Sequence, residues 1–223
     1  MDDIIPPSGA ATANTATQSA SPQSTTDQPF DALPLSADYV TNLRQLDYLT
    51  MTPIQATALP LALQGHDLIA QAKTGSGKTA AFTLPLLSRL NPQRLDVQAL
   101  VLCPTRELAD QVAQEILRLA RFADNIKVVS LCGGTPMRPQ RESLAHGAHV
   151  AVGTPGRIMD HLQRESLDLA ALNTLVLDEA DRMLDMGFFD DIAWIASHCP
   201  TQRQTLLFSA TFPEGIEKLA QRF

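Results

Sequence analysis

The sequence predicts an α/β domain: a mostly parallel, twisted sheet with helices on both faces. Three features carry the prediction. Short, almost continuously apolar runs recur along the chain, segments of helical period separate them, and a glycine-rich turn joins the first run to a helix. Strands covered on both faces read as continuous Val, Leu, Ile and Ala rather than as alternating patterns. Strand–helix alternation at this spacing favours parallel strands joined by right-handed crossovers.

In chain order, residues 1–29 are an Ala, Ser, Thr, Gln and Pro tract without Leu, Val or Phe. Such a leader buries too little apolar surface to offset its ordering entropy, and it is expected to be disordered. Helices are predicted over 36–46 and 53–63, the second with Thr52 as N-cap and Pro53 at the first helical position. Strands follow at 67–71, 99–103, 128–132, 149–152, 174–177 and 205–208. Further helices are expected over 79–90, 106–122 and 213–222. Residues 30–223 thus form one domain.

Composition bounds the alternatives. Hydrophobic residues at 44% and charged residues at 18% supply a sizeable core, and 5% aromatics argue against an aromatic-rich β-sandwich. No window is apolar enough for a membrane helix, and no basic-then-apolar leader marks secretion. The formal net charge is -7, which argues mildly against a nucleic-acid binder but leaves room for a local basic groove. Cys103, Cys132 and Cys199 show no CxxC spacing, so free, buried thiols in a reducing, cytoplasmic setting are expected.

The turn after the first strand is Ala72-Lys73-Thr74-Gly75-Ser76-Gly77-Lys78-Thr79. A strand, a glycine-rich loop and a helix start together make a phosphate cradle: backbone N–H groups turn inward and the helix start adds partial positive charge. Lys78 can reach outer phosphates, and the Thr79 hydroxyl can ligate Mg²⁺. Ala72 replaces the usual first glycine. The strand at 174–177 runs into Asp178-Glu179-Ala180-Asp181. Alone, such a cluster is usually a solvated turn or a helix cap. At the carboxyl edge of a sheet that also carries a phosphate loop, it suits Asp178 to Mg²⁺ and Glu179 to orienting and deprotonating a water.

The phosphate loop together with Asp178-Glu179-Ala180-Asp181 resembles the DEAD-box family of ATP-dependent RNA helicases, and other family motifs follow in order. They are Pro104-Thr105-Arg106, Gly133-Gly134, Thr154-Pro155-Gly156-Arg157 and Ser209-Ala210-Thr211, each just after a predicted strand. Wording such as Leu49-Thr50-Met51-Thr52-Pro53 is similar to the bacterial DbpA subgroup, which implies work on ribosomal RNA in large-subunit assembly. The resemblance implies a RecA-like P-loop NTPase domain, the first of two, with ATP and Mg²⁺ as cofactors and RNA as partner. It implies that Phe30, Tyr48, Thr52 and Gln55 hold the adenine end of ATP, with Gln55 making a bidentate contact. By the same resemblance, Pro104 to Arg106, Gly133, Gly134 and Thr154 to Arg157 contact one RNA strand through its backbone, with Arg106 and Arg157 adding charge. Asp181, Ser209 and Thr211 would couple the two sites.

The family's second RecA-like domain supplies arginines from a His-Arg-x-Gly-Arg type motif, and no His here is followed by Arg. The second domain is therefore expected in cis but outside this chain, which is expected to be monomeric. Two other readings stay open at this point: a nucleotide-gated RNA clamp without productive hydrolysis, and a DNA-directed motor.

Overall fold

The computed structural model describes residues 28–123, 125–211 and 214–221. Almost all of the predicted leader, and both ends of the helix expected at 213–222, lie outside these residues. All six expected strands form, within two residues of their predicted limits: β1 (Leu68–Gln71), β2 (Ala99–Leu102), β3 (Val128–Leu131), β4 (Val150–Gly153), β5 (Thr174–Leu177) and β6 (Gln204–Ser209). Every pairing is parallel, in the order β1-β6-β5-β2-β4-β3.

Strand residues divide between two cores by the period of two that a pleated strand imposes. Ala99, Val101, Val176, Leu206 and Phe208 face one core, built with α1 (Ala37–Gln45), α2 (Pro53–Leu63), α3 (Lys78–Ser88) and α4 (Arg106–Leu119). Leu100, Leu102, Leu175, Leu177 and Leu207 face the other, closed by α6 (Pro155–Gln163), α7 (Ala180–Asp185), α8 (Phe189–Ser197) and α9 (Glu214–Ala220). Because both faces are covered, β2, β4, β5 and β6 are buried along their whole length.

The helices show where sequence reading fell short. The helices expected at 36–46, 53–63, 79–90 and 106–122 form, the last finishing as a 3-10 turn at Ala120–Phe122. Helices are expected between the strands in general, but none is placed individually at α5 (Met137–Ala145), α6, α7 or α8. Pro139 interrupts the period of α5, Pro-Gly opens α6, and α7 is six residues long. Tertiary packing decides these segments more than local propensity does.

Close packing at the carboxyl edge gives a direct test. A Cβ at Gly153 would collide with the Leu131 carbonyl oxygen of neighbouring β3, whereas one at Gly156 would meet nothing within 4 Å. Overpacking of this kind costs about 1–3 kcal/mol. Gly153→Ala should therefore lower the denaturation midpoint, while Gly156→Ala should leave it unchanged or raise it slightly. Urea titration of the two variants beside the parent checks this.

Candidate active site

β1 ends at one edge of the sheet, and the chain turns at once into the glycine-rich loop. The Ala72 N–H donates to the Ser209 carbonyl at 2.9 Å, fixing the loop base to β6. Gly75 and Gly77 both take positive φ, at 80° and 88°. At Gly77 a side chain is also excluded by space, since a Cβ would lie 2.9 Å from Thr52 Oγ1 at the start of α2. α3 begins at Lys78, so its first N–H groups point into the loop.

β5 lies one strand away, beyond β6. It delivers Asp178, fully buried, and Glu179, which holds a left-handed conformation at φ 52° before α7. Lys78 Nζ lies 2.6 Å from Asp178 Oδ1 and 3.2 Å from Glu179 Oε1. Thr74 Oγ1 donates to Glu179 Oε1 at 3.0 Å, and Arg182 Nη1 donates to Oε2 at 3.3 Å. Lys78 and Glu179 therefore line one cleft of about 540 Å³, with Thr105, Asp181 and Arg182, and Asp178 lies buried behind its wall against Lys78. A larger cleft of about 870 Å³ lies among the segments leading into β2, β4 and β5, at the opposite edge, and shares no residue with this one.

The two carboxyls are driven in opposite directions. Burial pushes Asp178 above the ordinary carboxylate range, and the Lys78 charge pulls it back only in part. Burial also acts to raise Glu179, but there the Lys78 charge and the bonds from Thr74, Lys78 and Arg182 win, and its carboxyl sits below the usual range. Asp178 Oδ2 is buried without a hydrogen-bond partner, and Thr79, half-buried, follows Lys78 on α3. A hydroxyl and a buried carboxylate are hard oxygen donors, the set that suits Mg²⁺.

Asp181 is tied to the segment after β6. Its Oδ2 accepts from Thr211 N at 2.9 Å and from Thr211 Oγ1 at 2.8 Å, while its own N–H donates to Ser209 Oγ at 3.2 Å. Partial burial opposes ionisation of this carboxyl, but the bonds from Thr211 outweigh it and lower its pKa. Asp181, Ser209 and Thr211 thus meet as the sequence suggested.

The residues expected at the adenine end are arranged differently. Gln55 is buried, and both ends of its amide are engaged: Oε1 accepts from Thr52 N at 2.9 Å and Nε2 donates to the Gly77 carbonyl at 3.0 Å. In this arrangement it brackets α2 to the phosphate loop and is not free for a bidentate contact. Thr52 is the N-cap of α2, as expected, and forms a capping box with Gln55. Phe30 is buried in the core against Tyr48, whose hydroxyl donates to Glu115 on α4 at 2.6 Å. Neither ring lines a cleft beside the phosphate loop. Thr52 does line the 750 Å³ groove on the loop's other side, with Thr57, Leu61 and Ile69.

The three loops expected to meet RNA do come to the same carboxyl edge, after β2, β3 and β4. Thr105 caps α4 by accepting from Leu108 N at 3.3 Å. Gly134 is exposed at φ 79°, and Gly133 offers its carbonyl to Arg106 Nη1 at 3.2 Å. Pro155 is buried, while Gly156 is exposed at the start of α6. Arg157 departs from expectation. Its guanidinium turns inward to the Thr135 carbonyl and Gln140 Oε1, and its side chain is only 11% exposed. It is not a free surface cation. Sequence reading missed Gln140 and Arg182 altogether. Arg182, three residues after Glu179 on one helix face, could have been found from that spacing, but nothing local marks Gln140.

Comparison with known proteins fits this geometry. A family model described as DEAD/DEAH box helicase matches residues 52–219. The ATP-dependent RNA helicase DbpA of Escherichia coli is 61% identical over 183 residues, which is 82% of this chain and 40% of that protein. The DEAD-box ATP-dependent RNA helicase CshA of Streptococcus pneumoniae is 47% identical, over 87% of this chain and 37% of that protein. Among solved structures, a DEAD box protein from the hyperthermophile Methanococcus jannaschii superposes with a TM-score of 0.83 at 42% identity, covering 86% of this chain and 53% of that one. Dbp5 of S. cerevisiae, bound to RNA and ADP BeF3, superposes with a TM-score of 0.79 at 34% identity, covering 87% and 49%. The chain belongs to the DEAD/DEAH box helicase family and spans about two fifths of the length of these two curated relatives.

Removing one partner of a buried ion pair costs about 3–5 kcal/mol, because the other charge is left uncompensated. Lys78→Ala should therefore destabilise the domain strongly at pH 8. With its counter-charge gone, Asp178 has a folded pKa further above its unfolded value. That penalty is absent below the unfolded carboxylate pKa of about 4 and grows as pH rises through the folded one. The deficit relative to the parent should hence shrink on going from pH 8 to pH 5, as measured by denaturant titration at each pH.

Proposed function

We propose that this DEAD/DEAH box family member is the first RecA-like domain of an ATP-dependent RNA helicase. In this reading residues 30–223 form the domain, bind ATP with Mg²⁺ and grip the RNA sugar-phosphate backbone. With a second RecA-like domain in cis, hydrolysis is coupled to local unwinding of RNA duplexes. The observation that carries the proposal is the position of Lys78 Nζ, 2.6 Å from Asp178 and 3.2 Å from Glu179. A phosphate-loop lysine lies against a metal-and-water carboxylate pair, as triphosphate chemistry requires.

The roles follow from the geometry. Lys78 and the N–H groups of Thr74 to Thr79 receive the phosphates, and the anion competes with the carboxylates for the lysine. Thr79 and Asp178 hold Mg²⁺, partly through water; when bound, the ion neutralises charge that develops on the phosphate oxygens. Glu179, released from Lys78, orients and deprotonates the attacking water. Asp181, through Thr211 and Ser209, links the nucleotide cleft to the segment after β6. The backbone N–H groups after β2, β3 and β4 take RNA phosphates. That contact reads no base edge, and preference for RNA comes from 2′-hydroxyls. The 61% identity to the ATP-dependent RNA helicase DbpA supports the helicase reading; in it the protein works on ribosomal RNA during large-subunit assembly, as a cytoplasmic monomer.

Two outcomes follow. In the full-length protein, Glu179→Gln should retain ATP binding and lose most steady-state turnover. Unchanged hydrolysis would remove Glu179 from the chemistry, and tight binding without hydrolysis in the parent would favour the clamp reading. In this reading the second domain supplies the arginines, and an arginine finger contributes about 10³–10⁵ in rate, or about 4–7 kcal/mol. Residues 1–223 alone should therefore bind adenine nucleotide weakly, hydrolyse it very slowly and leave a short RNA duplex intact in a native-gel unwinding assay.

A further inference from the structure

Behind the loops at the carboxyl edge sits a buried polar cluster that the roles above do not use. Gln140, on α5, is 9% exposed, and its amide makes four hydrogen bonds. Nε2 donates to the Cys132 carbonyl at 3.0 Å and to Thr135 Oγ1 at 2.9 Å. Oε1 accepts from Arg157 Nη1 at 2.8 Å and faces His161 Nε2 at 2.9 Å. That is the full capacity of a carboxamide. Arg157 also donates through Nη1 and Nη2 to the Thr135 carbonyl, both at 3.1 Å. His161 is fully buried, and its Nδ1 lies 2.8 Å from Ser166 Oγ. Burial and the nearby Arg157 charge lower its pKa, in keeping with a neutral ring whose Nε2–H points at Gln140.

We infer that Gln140 and Arg157 form an internal brace that fixes the Gly133–Gly134 turn relative to the start of α6, and so act as positioning residues for RNA. The inference rests on the proposed RNA contact. Cys132 and Thr135 flank the two glycines, and Arg157 and His161 sit on the helix that begins at Pro155. The amide therefore joins the two segments that offer N–H groups to successive phosphates. Glycines in an unbraced turn would have to be ordered when RNA arrives, and that ordering would weaken binding. A fully satisfied buried network holds the spacing beforehand. The brace also reassigns Arg157: it serves RNA by shape and makes no phosphate contact of its own.

Binding of a fluorescent single-stranded RNA to the full-length protein, with a non-hydrolysable ATP analogue present, separates the possibilities. Gln140→Met and Arg157→Met should each weaken RNA binding about tenfold. The double variant should be little worse than either single one, since both break one unit. The slope of log affinity against log salt should match the parent's for all three, and the KM for ATP should not change. An Arg157→Met slope smaller by about 0.7, the value for one lost phosphate contact on a single strand, would overturn the brace. Additive losses, or single variants that bind as the parent does, would overturn it equally. If Gln140→Met is insoluble, Gln140→Glu carries the same comparison, because it keeps both acceptor bonds and loses both donations. Failure of the parent itself to bind RNA would sink the underlying functional reading and leave the brace as packing only.

Discussion

A lysine and two carboxylates withdrawn from water hold the active edge of this domain together. Each ion would cost several kcal/mol to bury alone, and their mutual attraction makes the burial tolerable. Lys78 comes from the loop after the first strand and Asp178 from the end of the fifth, so the ion pair fastens two distant parts of the chain across β6. Thr74 and Arg182 complete the set around Glu179. The cluster combines one cation with two carboxylates, so in the proposed function it answers to an anion and a cation together. A triphosphate would draw the lysine away, and a divalent ion would take its place beside Asp178.

Much of this was legible in the residues. The six strands were legible because a sheet covered on both faces demands runs such as Leu100-Val101-Leu102, which few other environments tolerate. The phosphate loop was legible because Gly75 and Gly77 stand between an apolar strand run and a helix start, at positive φ angles that favour glycine. α5 and α6 were not. Their stability comes from packing and from the amide of Gln140, and neither leaves a local periodic signature. The adenine-end residues show the same limit. The motif marks Gln55 as an adenine contact, whereas the structure closes its amide between Thr52 and Gly77.

The arginines illustrate how a motif can mislead about mechanism. Arg106 and Arg157 both follow a strand, both sit at a helix start, and both read as charge for a phosphate. Arg106 stays on the surface, reaching Gly133, whereas Arg157 is drawn under the loop to carbonyl and amide oxygens. What separates them is the neighbourhood. Arg157 has a buried acceptor in Gln140, the first turn of α5 brings that acceptor into reach, and a planar guanidinium can bond two carbonyl-type oxygens at once.

The sheet order has a consequence for how the protein is made. β1 carries the phosphate loop, yet its strand partner among the described residues is β6, the last strand. A ribosome releases the chain from its N-terminus, so the loop emerges early and waits, with an open edge, for most of the domain to be translated. Long-range parallel pairing of this kind is slow to form because the intervening chain must first be closed into a loop. The phosphate pocket is thus completed only once β6 has been made, and a nascent chain cut short before β6 would have the motif without the pocket.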